Sequence, residues 1–413
     1  MKFPRLLRKS GLILCLGILS LHVQAQRPGG PAPRQEKLLN GLKVLMWSDP
    51  AATEVRVSIR VHSGSAFDSQ GKEGVMQLLA DSIFPTAASK SFFTEDLGGG
   101  IEVITNYDYI QVNGSAKPTE FVTLVETLAQ AVSKLTIDKE TTAALKKSLL
   151  EKLTALEKDP AYIADQAAAH RLFGTFPYGR PQMGSVESIQ RIDFADLQFA
   201  RDRLFSADNA SVAISGNFPS DLGFRAVRRY FGAWLKSDKR SPNTFRQPDE
   251  PDAAPIALLI DGVPHTSVFG LRGLSKSDPD YSASLFLERI LGARLQKSDP
   301  KSEVMFSART LPGMVRLRAA TLPPTLLTTR ITNEEFSQAQ MKLNEIQRSC
   351  EQAPNCIARA EMDRWLDVDT YGTSVGDTKA LQNVTLADVQ RVADRLAKNP
   401  VATVIINPPP RAE

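Results

Sequence analysis

The feature that most constrains this chain is a repeated order of segments. Leu42–Trp47 reads as a strand, and Val55–Val61 alternates with period two as a half-buried strand does. A turn rich in Ser, Gly and Asp follows, then a helix predicted over Gly74–Ile83. After residue 255 the order returns: strands at Ile256–Ile260 and Thr266–Leu271, a turn over Ser275–Asp280, and an apolar-faced helix at Tyr281–Leu291. Further strands are predicted at Ile101–Thr105, Ile110–Ser115, Ser211–Ser215 and Val401–Ile406. Phe121, Leu124, Val125, Leu128, Val132 and Leu135 line one helix, and Leu145, Leu149, Leu153 and Leu156 the next. Later helices fall at Asn333–Cys350 and at Leu386–Ala397, the latter N-capped by Thr385. Strands then helices, twice over, predict an α+β fold of two related domains, each an antiparallel sheet with helices packed on one face.

The ends and the middle set the boundaries. Residues 1–25 have the make-up of a cleavable signal peptide: bases from Lys2 to Lys9, the apolar run Gly11–Leu21, and small residues for a cut after Ala25. Cys15 follows Leu14 rather than the small residue a lipid anchor requires. Residues 26–36 read as a flexible arm, 37–236 as the first domain, 237–255 as a polar, Pro-containing linker, and 256–408 as the second domain. The protein is therefore expected in the periplasm or secreted, with no membrane span in the mature chain. Charge excludes one class of partner. The chain has 50 Lys and Arg against 46 Asp and Glu, and Lys2, Arg5, Arg8 and Lys9 account for the excess. The mature chain is balanced, which gives no support for nucleic-acid binding.

Beyond the leader only Cys350 and Cys356 remain. In an oxidising compartment, with Ala353-Pro354-Asn355 turning the chain, they are expected to form a disulfide, the alternative being two buried thiols. A zinc site there is not expected, because no His lies near.

The order of segments resembles the insulinase/pitrilysin zinc-peptidase family, which includes the mitochondrial processing peptidase. The resemblance rests on Asn40-Gly41-Leu42-Lys43-Val44, on Gly64-Ser65 with Gly71-Lys72-Glu73-Gly74, and on Leu97-Gly98-Gly99-Gly100. Phe176-Pro177-Tyr178-Gly179-Arg180-Pro181 with Gly184-Ser185 is its most specific block, and Asp208-Asn209-Ala210 leads to Gly216 as the family's first core does. It spans roughly residues 36–408.

Such a peptidase carries two His four residues apart on one helical face, with a Glu just before the second, so that both imidazoles reach one zinc and the Glu takes a proton from bound water. The matching run here is Gln77-Leu78-Leu79-Ala80-Asp81. Gln77 offers a neutral amide, Ala80 a methyl group and Asp81 a short carboxylate. Glu151, with Glu157 as the alternative, matches the further ligand. The resemblance thus implies a catalytically degenerate member, with no catalytic residue, no cofactor and no bound metal. A relic cation site at Asp81 and Glu151 is the less favoured reading of carboxylates on a solvated, lysine-rich helix face. His62, His170 and His265 are widely spaced and read as surface or packing histidines, and no Gly-x-Ser-x-Gly elbow surrounds Ser215-Gly216. The family's substrate-holding Arg and Tyr follow an Arg-Leu pair. Arg294-Leu295 matches that pair, but the Arg position falls near Asp299-Pro300 and the Tyr near Met305-Phe306-Ser307.

The expected function is a zinc-less, non-catalytic homologue that pairs with an active zinc-peptidase homologue as a heterodimer and holds unfolded peptides. The alternatives are a self-associating peptide-binding scaffold and a peptidase with a rearranged metal site.

Overall fold

The computed structural model describes residues 32–237, 248–260, 265–353, 355–373 and 378–407. The leader 1–25, most of the arm 26–36 and residues 238–247 of the expected linker lie outside them. The first half runs β1 (Arg34–Lys37), β2 (Lys43–Ser48), β3 (Val55–Val61), α1 (Val75–Asp81), α2 (Ala87–Glu95), β4 (Gly100–Thr105), β5 (Ile110–Ala116), α3 (Phe121–Ser133), α4 (Lys139–Leu156), α5 (Pro160–Phe173), α6 (Val186–Arg191), α7 (Phe194–Leu204), β6 (Ala210–Gly216) and α8 (Ser220–Phe231). The second runs β7 (Ile256–Leu259), β8 (Thr266–Arg272), α9 (Tyr281–Gln296), β9 (Glu303–Phe306), β10 (Met314–Arg318), α10 (Asn333–Gln352), α11 (Cys356–Tyr371), α12 (Thr378–Gln382), α13 (Leu386–Leu396) and β11 (Ala402–Asn407).

The strands form two sheets, ordered β1-β2-β6-β3-β5-β4 and β7-β11-β8-β10-β9. With β1 set aside, the two orders map strand for strand, so the repeat seen in the sequence is a repeat of topology. Each sheet is mixed rather than wholly antiparallel. The last strand of each half inserts beside the first and runs parallel to it, β6 on β2 and β11 on β7. Side-chain periodicity carries no information about strand direction, so these parallel pairs could not be read in advance. The arm also ends earlier than expected. Arg34–Lys37 pair with Lys43–Met46, and Arg34 is held by Asp221 at 2.8 Å.

Each sheet packs its own helices on one face. Val55, Val57, Ile59 and Val61 meet Leu78, Leu124 and Leu128 in the first core, and Leu271, Val315 and Leu317 meet Leu287, Ile290 and Val392 in the second. The opposite face of each sheet is covered by a helix from the other half. Met362, Trp365 and Leu366 of α11 lie on Leu45 and Ala213 of the first sheet, and Ala164 and Ala168 of α5 lie on Val268, Val404 and Ile406 of the second. This exchange buries both sides of β3, so Arg60, on the face expected to meet water, is only 1 % exposed. Cys350 and Cys356 form a disulfide that closes the α10–α11 hairpin, with a Cα–Cα distance of 5.3 Å. Of the residues following 247, Asp252 is bonded to Arg171 of α5.

Candidate functional site

The segment expected to match the metal row is α1. It starts at Gly74, whose φ of 102° suits glycine, and a Cβ there would come within 2.3 Å of Ile189 Cδ1. The Asp68 carboxylate accepts the N–H groups of Gly74 and Met76 at 2.8 and 2.9 Å, filling the place of an N-cap. Burial pushes that carboxyl up to about 7, against the pull of the two N–H bonds and of Arg180. Arg180 donates to the Asp68 carbonyl at 3.0 Å, and the Tyr178 hydroxyl donates to Asp108 at 3.3 Å. The Phe176–Pro181 signature block therefore fixes the loop that leads into α1.

Val75, Met76, Leu78, Leu79 and Ala80 of α1 are buried in the core. Gln77 and Asp81 share the half-buried face one turn apart, and the Gln77 amide donates to Asp81 Oδ1 at 3.0 Å. Burial raises the Asp81 carboxyl above its ordinary range, and the charges opposing that shift are Lys90 and Lys152. Ala80, 1 % exposed, has no atom that can take a proton. On α4, Glu151 faces solvent, while Glu157 accepts the Val186 N–H at 2.9 Å at the start of α6. Among the described residues no three or more His, Cys, Asp or Glu side chains gather where they could hold a metal. The donor set at α1 does not fit zinc: one amide, one methyl group, and a carboxylate already bonded to that amide.

The three histidines do other work. His62 bonds Thr370 at 3.2 Å and Ser211 at 3.0 Å, His265 bonds Asn407 at 2.8 Å, and His170 is exposed in the last turn of α5. Arg294 grips Glu335 through two bonds of 2.8 and 2.9 Å and donates to the Leu326 carbonyl, so it ties α9 to α10. Asp299 accepts the N–H groups of Lys301 and Ala320.

Sequence reasoning missed the groups that join the halves. Arg60 bonds Asp367 at 2.7 Å and Gln111 at 2.7 Å and lies 4.1 Å from the Tyr109 ring centroid. Arg309 covers the Tyr107 ring at 3.9 Å, and Tyr371 donates to Asp108 at 3.2 Å. Partners such as Arg60 and Asp367, 307 residues apart, leave no local signal. Sequence reasoning also passed over the free edge. β4 ends the first sheet and packs beside α1 and α2, and at its far end the Thr105 carbonyl is taken by Gln182 at 2.7 Å. No helix among the described residues is long and apolar enough to cross a membrane.

Comparison with known proteins follows the same lines. A family model described as insulinase, peptidase family M16, matches residues 43–185, and one described as the peptidase M16 inactive domain matches residues 191–308. An uncharacterized zinc protease of Mycobacterium tuberculosis is 27% identical over 219 residues, 51% of this chain and 49% of that protein. The chain thus spans about half the length of the curated relatives it matches there. A protease from Helicobacter pylori superposes with a TM-score of 0.80 at 17% identity, covering 92% of this chain and 100% of that one. The periplasmic protease PqqL of Escherichia coli gives 0.71 at 14% identity, covering 93% of this chain and 48% of that one.

Proposed function

The chain belongs to the insulinase peptidase family, M16, and from that membership and the state of its α1 row we propose that it is a zinc-less, non-catalytic member that holds extended peptides for an active zinc-peptidase homologue in the periplasm. The observation that carries the proposal is the Gln77–Asp81 bond across the buried Ala80. Where the family's chemistry needs two imidazoles and a base, this helix closes on itself with an amide and one carboxylate. The fold around it is kept. Asp68, Arg180 and Tyr178 still fix the loop into α1, and β4 still presents an open edge next to it. An open strand edge takes an extended peptide through main-chain hydrogen bonds and needs no metal. The leader and the disulfide support export, and the likeness to a periplasmic protease is in keeping with it.

The partner is expected to be a zinc-bearing homologue of similar length. The test mixes the two purified chains and follows cleavage of an unfolded peptide. A rise in turnover together with a heterodimer on size-exclusion chromatography is the expected result. Unchanged turnover with no complex at micromolar concentration overturns the pairing, and self-association in the same experiment points to a free-standing scaffold.

A further inference from the structure

We infer that the first sheet carries, beside its open edge, a side-chain subsite for an acidic residue of the bound peptide; the inference rests on the edge-strand reading above. The register of the sheet builds it. Gly100 of β4 lies opposite Ser115 of β5, which lies opposite Arg56 of β3, so these three form one row across the face that meets α11. In the next row Glu102 lies opposite Asn113. Arg359, from the first turn of α11, reaches over to Glu102 at 2.6 Å. Together these side chains wall a groove of about 260 Å³.

Two details give the groove its chemistry. A Cβ at Gly100 would meet nothing within 4 Å, so the strand nearest the edge leaves the row open toward Ser115 and Arg56. A peptide strand added outside β4 would place every second side chain on this face, directly beside that opening. The groove's unengaged donors favour an anion. Its one carboxylate, Glu102, already accepts from Arg359 and from Asn113, the latter at 3.3 Å. Arg56 is engaged through Nε by Glu54, and Arg359 through Nη2 by Glu102, and among the described residues their other guanidinium N–H groups have no protein partner. Two guanidinium groups with free donors and the Ser115 hydroxyl can receive a peptide carboxylate. A basic side chain would meet the same two guanidinium groups, with Glu54 and Glu102 each already paired to one of them.

The test measures binding of extended decapeptides that differ at one scanned position, Glu, Gln or Lys, to the mature chain by fluorescence anisotropy. At the responsive position the Glu peptide should bind about tenfold more tightly than the Gln peptide, with Lys weakest, and the advantage should shrink as salt is raised. Arg359→Gln should bring the Glu peptide's affinity down to within about twofold of the Gln peptide's. Gly100→Phe, which fills the groove without touching the backbone edge, should abolish the Glu preference independently. A chain that binds all three peptides alike at every position overturns the subsite and leaves the edge-strand reading standing. A chain that binds none of them overturns both.

Discussion

The two halves share one strand order, yet the faces on which they receive each other's helix divide apolar and charged contacts differently. Where α5 crosses the second sheet, Ala164 and Ala168, both fully buried, lie on Val268, Val404 and Ile406, and Asp165 between them holds Arg316 and Arg318 of β10 at 2.5 and 2.8 Å. Where α11 crosses the first sheet, Met362, Trp365 and Leu366 make a small apolar patch, and the rest is polar. Arg60, Gln111, Asp363 and Asp367 form a connected set, with Lys43, Ser211 and Asp369 beside it. The same topology thus supports one contact of buried alanines beside a single Asp165–arginine cluster, and another in which a wider polar network, with its groove, takes most of the face. The half that carries the α1 row and the edge strand β4 has the more polar one.

The alanine contact gives the largest expected effect. Ala168→Glu forces a long, charged side chain between α5 and the packed Val268, Val404 and Ala164, and should cost about 4 kcal/mol of stability in denaturant unfolding. A cost under about 1 kcal/mol would show that α5 can leave the second sheet without unfolding it, and the comparison would fail.

The polar contact should respond differently to single and paired changes. Asp367→Ala leaves the buried Arg60 guanidinium poorly compensated and should cost about 3 kcal/mol. Arg60→Met combined with Asp367→Leu should cost less, about 1 kcal/mol, because the buried guanidinium goes together with its carboxylate and only the longer contacts to Asp363 and Lys276 are lost. Additive losses in the double variant would mean that the pair is not one coupled unit.

Replacing Cys350 and Cys356 with Ser should cost about 2 kcal/mol in the chain-entropy model, since the loop it closes is short. The loss should show as faster hydrogen exchange in the hairpin of α10 and α11, with the first core unchanged. Loss of protection in the first core would place the disulfide in the wrong half of the comparison.

Acid gives the sharpest contrast in sign. Asp68, pushed up to about 7 by burial, binds a proton in the folded chain before the unfolded chain does. The first half therefore gains stability as pH falls from about 7 toward 4, and Glu73 and Arg180 beside it modulate the gain. Glu335, held down to about 2 by Arg294, contributes stability above about 4.5 that is lost as pH falls toward 2. Exchange protection of α1, corrected for intrinsic rate, should rise between about pH 7.5 and 5 while that of α10 stays level, and α10 alone should lose protection between about pH 5 and 3. Parallel changes in the two helices would refute the assignment.

Much of the frame was legible because it is written in periodicity. The alternation of Val55, Val57, Ile59 and Val61 gave β3, and the order of segments gave two related units. The helix exchange was not legible. The buried face of α5 is largely alanine, which stands out little from a polar background, and nothing local marks α11 as covering the other half's sheet. Arg60 looked like a solvent-facing residue of a half-buried strand, because its burial is imposed by Asp367 and Gln111 from elsewhere in the chain. At the candidate site the residue types at 77, 80 and 81 were readable at once. Their mutual bond, and the role of Glu157 at the start of α6, required coordinates.

The central claim is that the α1 row holds no metal, and zinc content tests it most directly. Mature protein purified without chelator and dialysed against micromolar zinc should carry far less than one zinc per chain by elemental mass spectrometry. Gln77→His, Ala80→Glu and Asp81→His together should bring that figure to about one, whether or not cleavage returns, because binding needs only the ligands. Wild-type protein that keeps about one zinc per chain, and loses it on Asp81→Asn, would contradict the account.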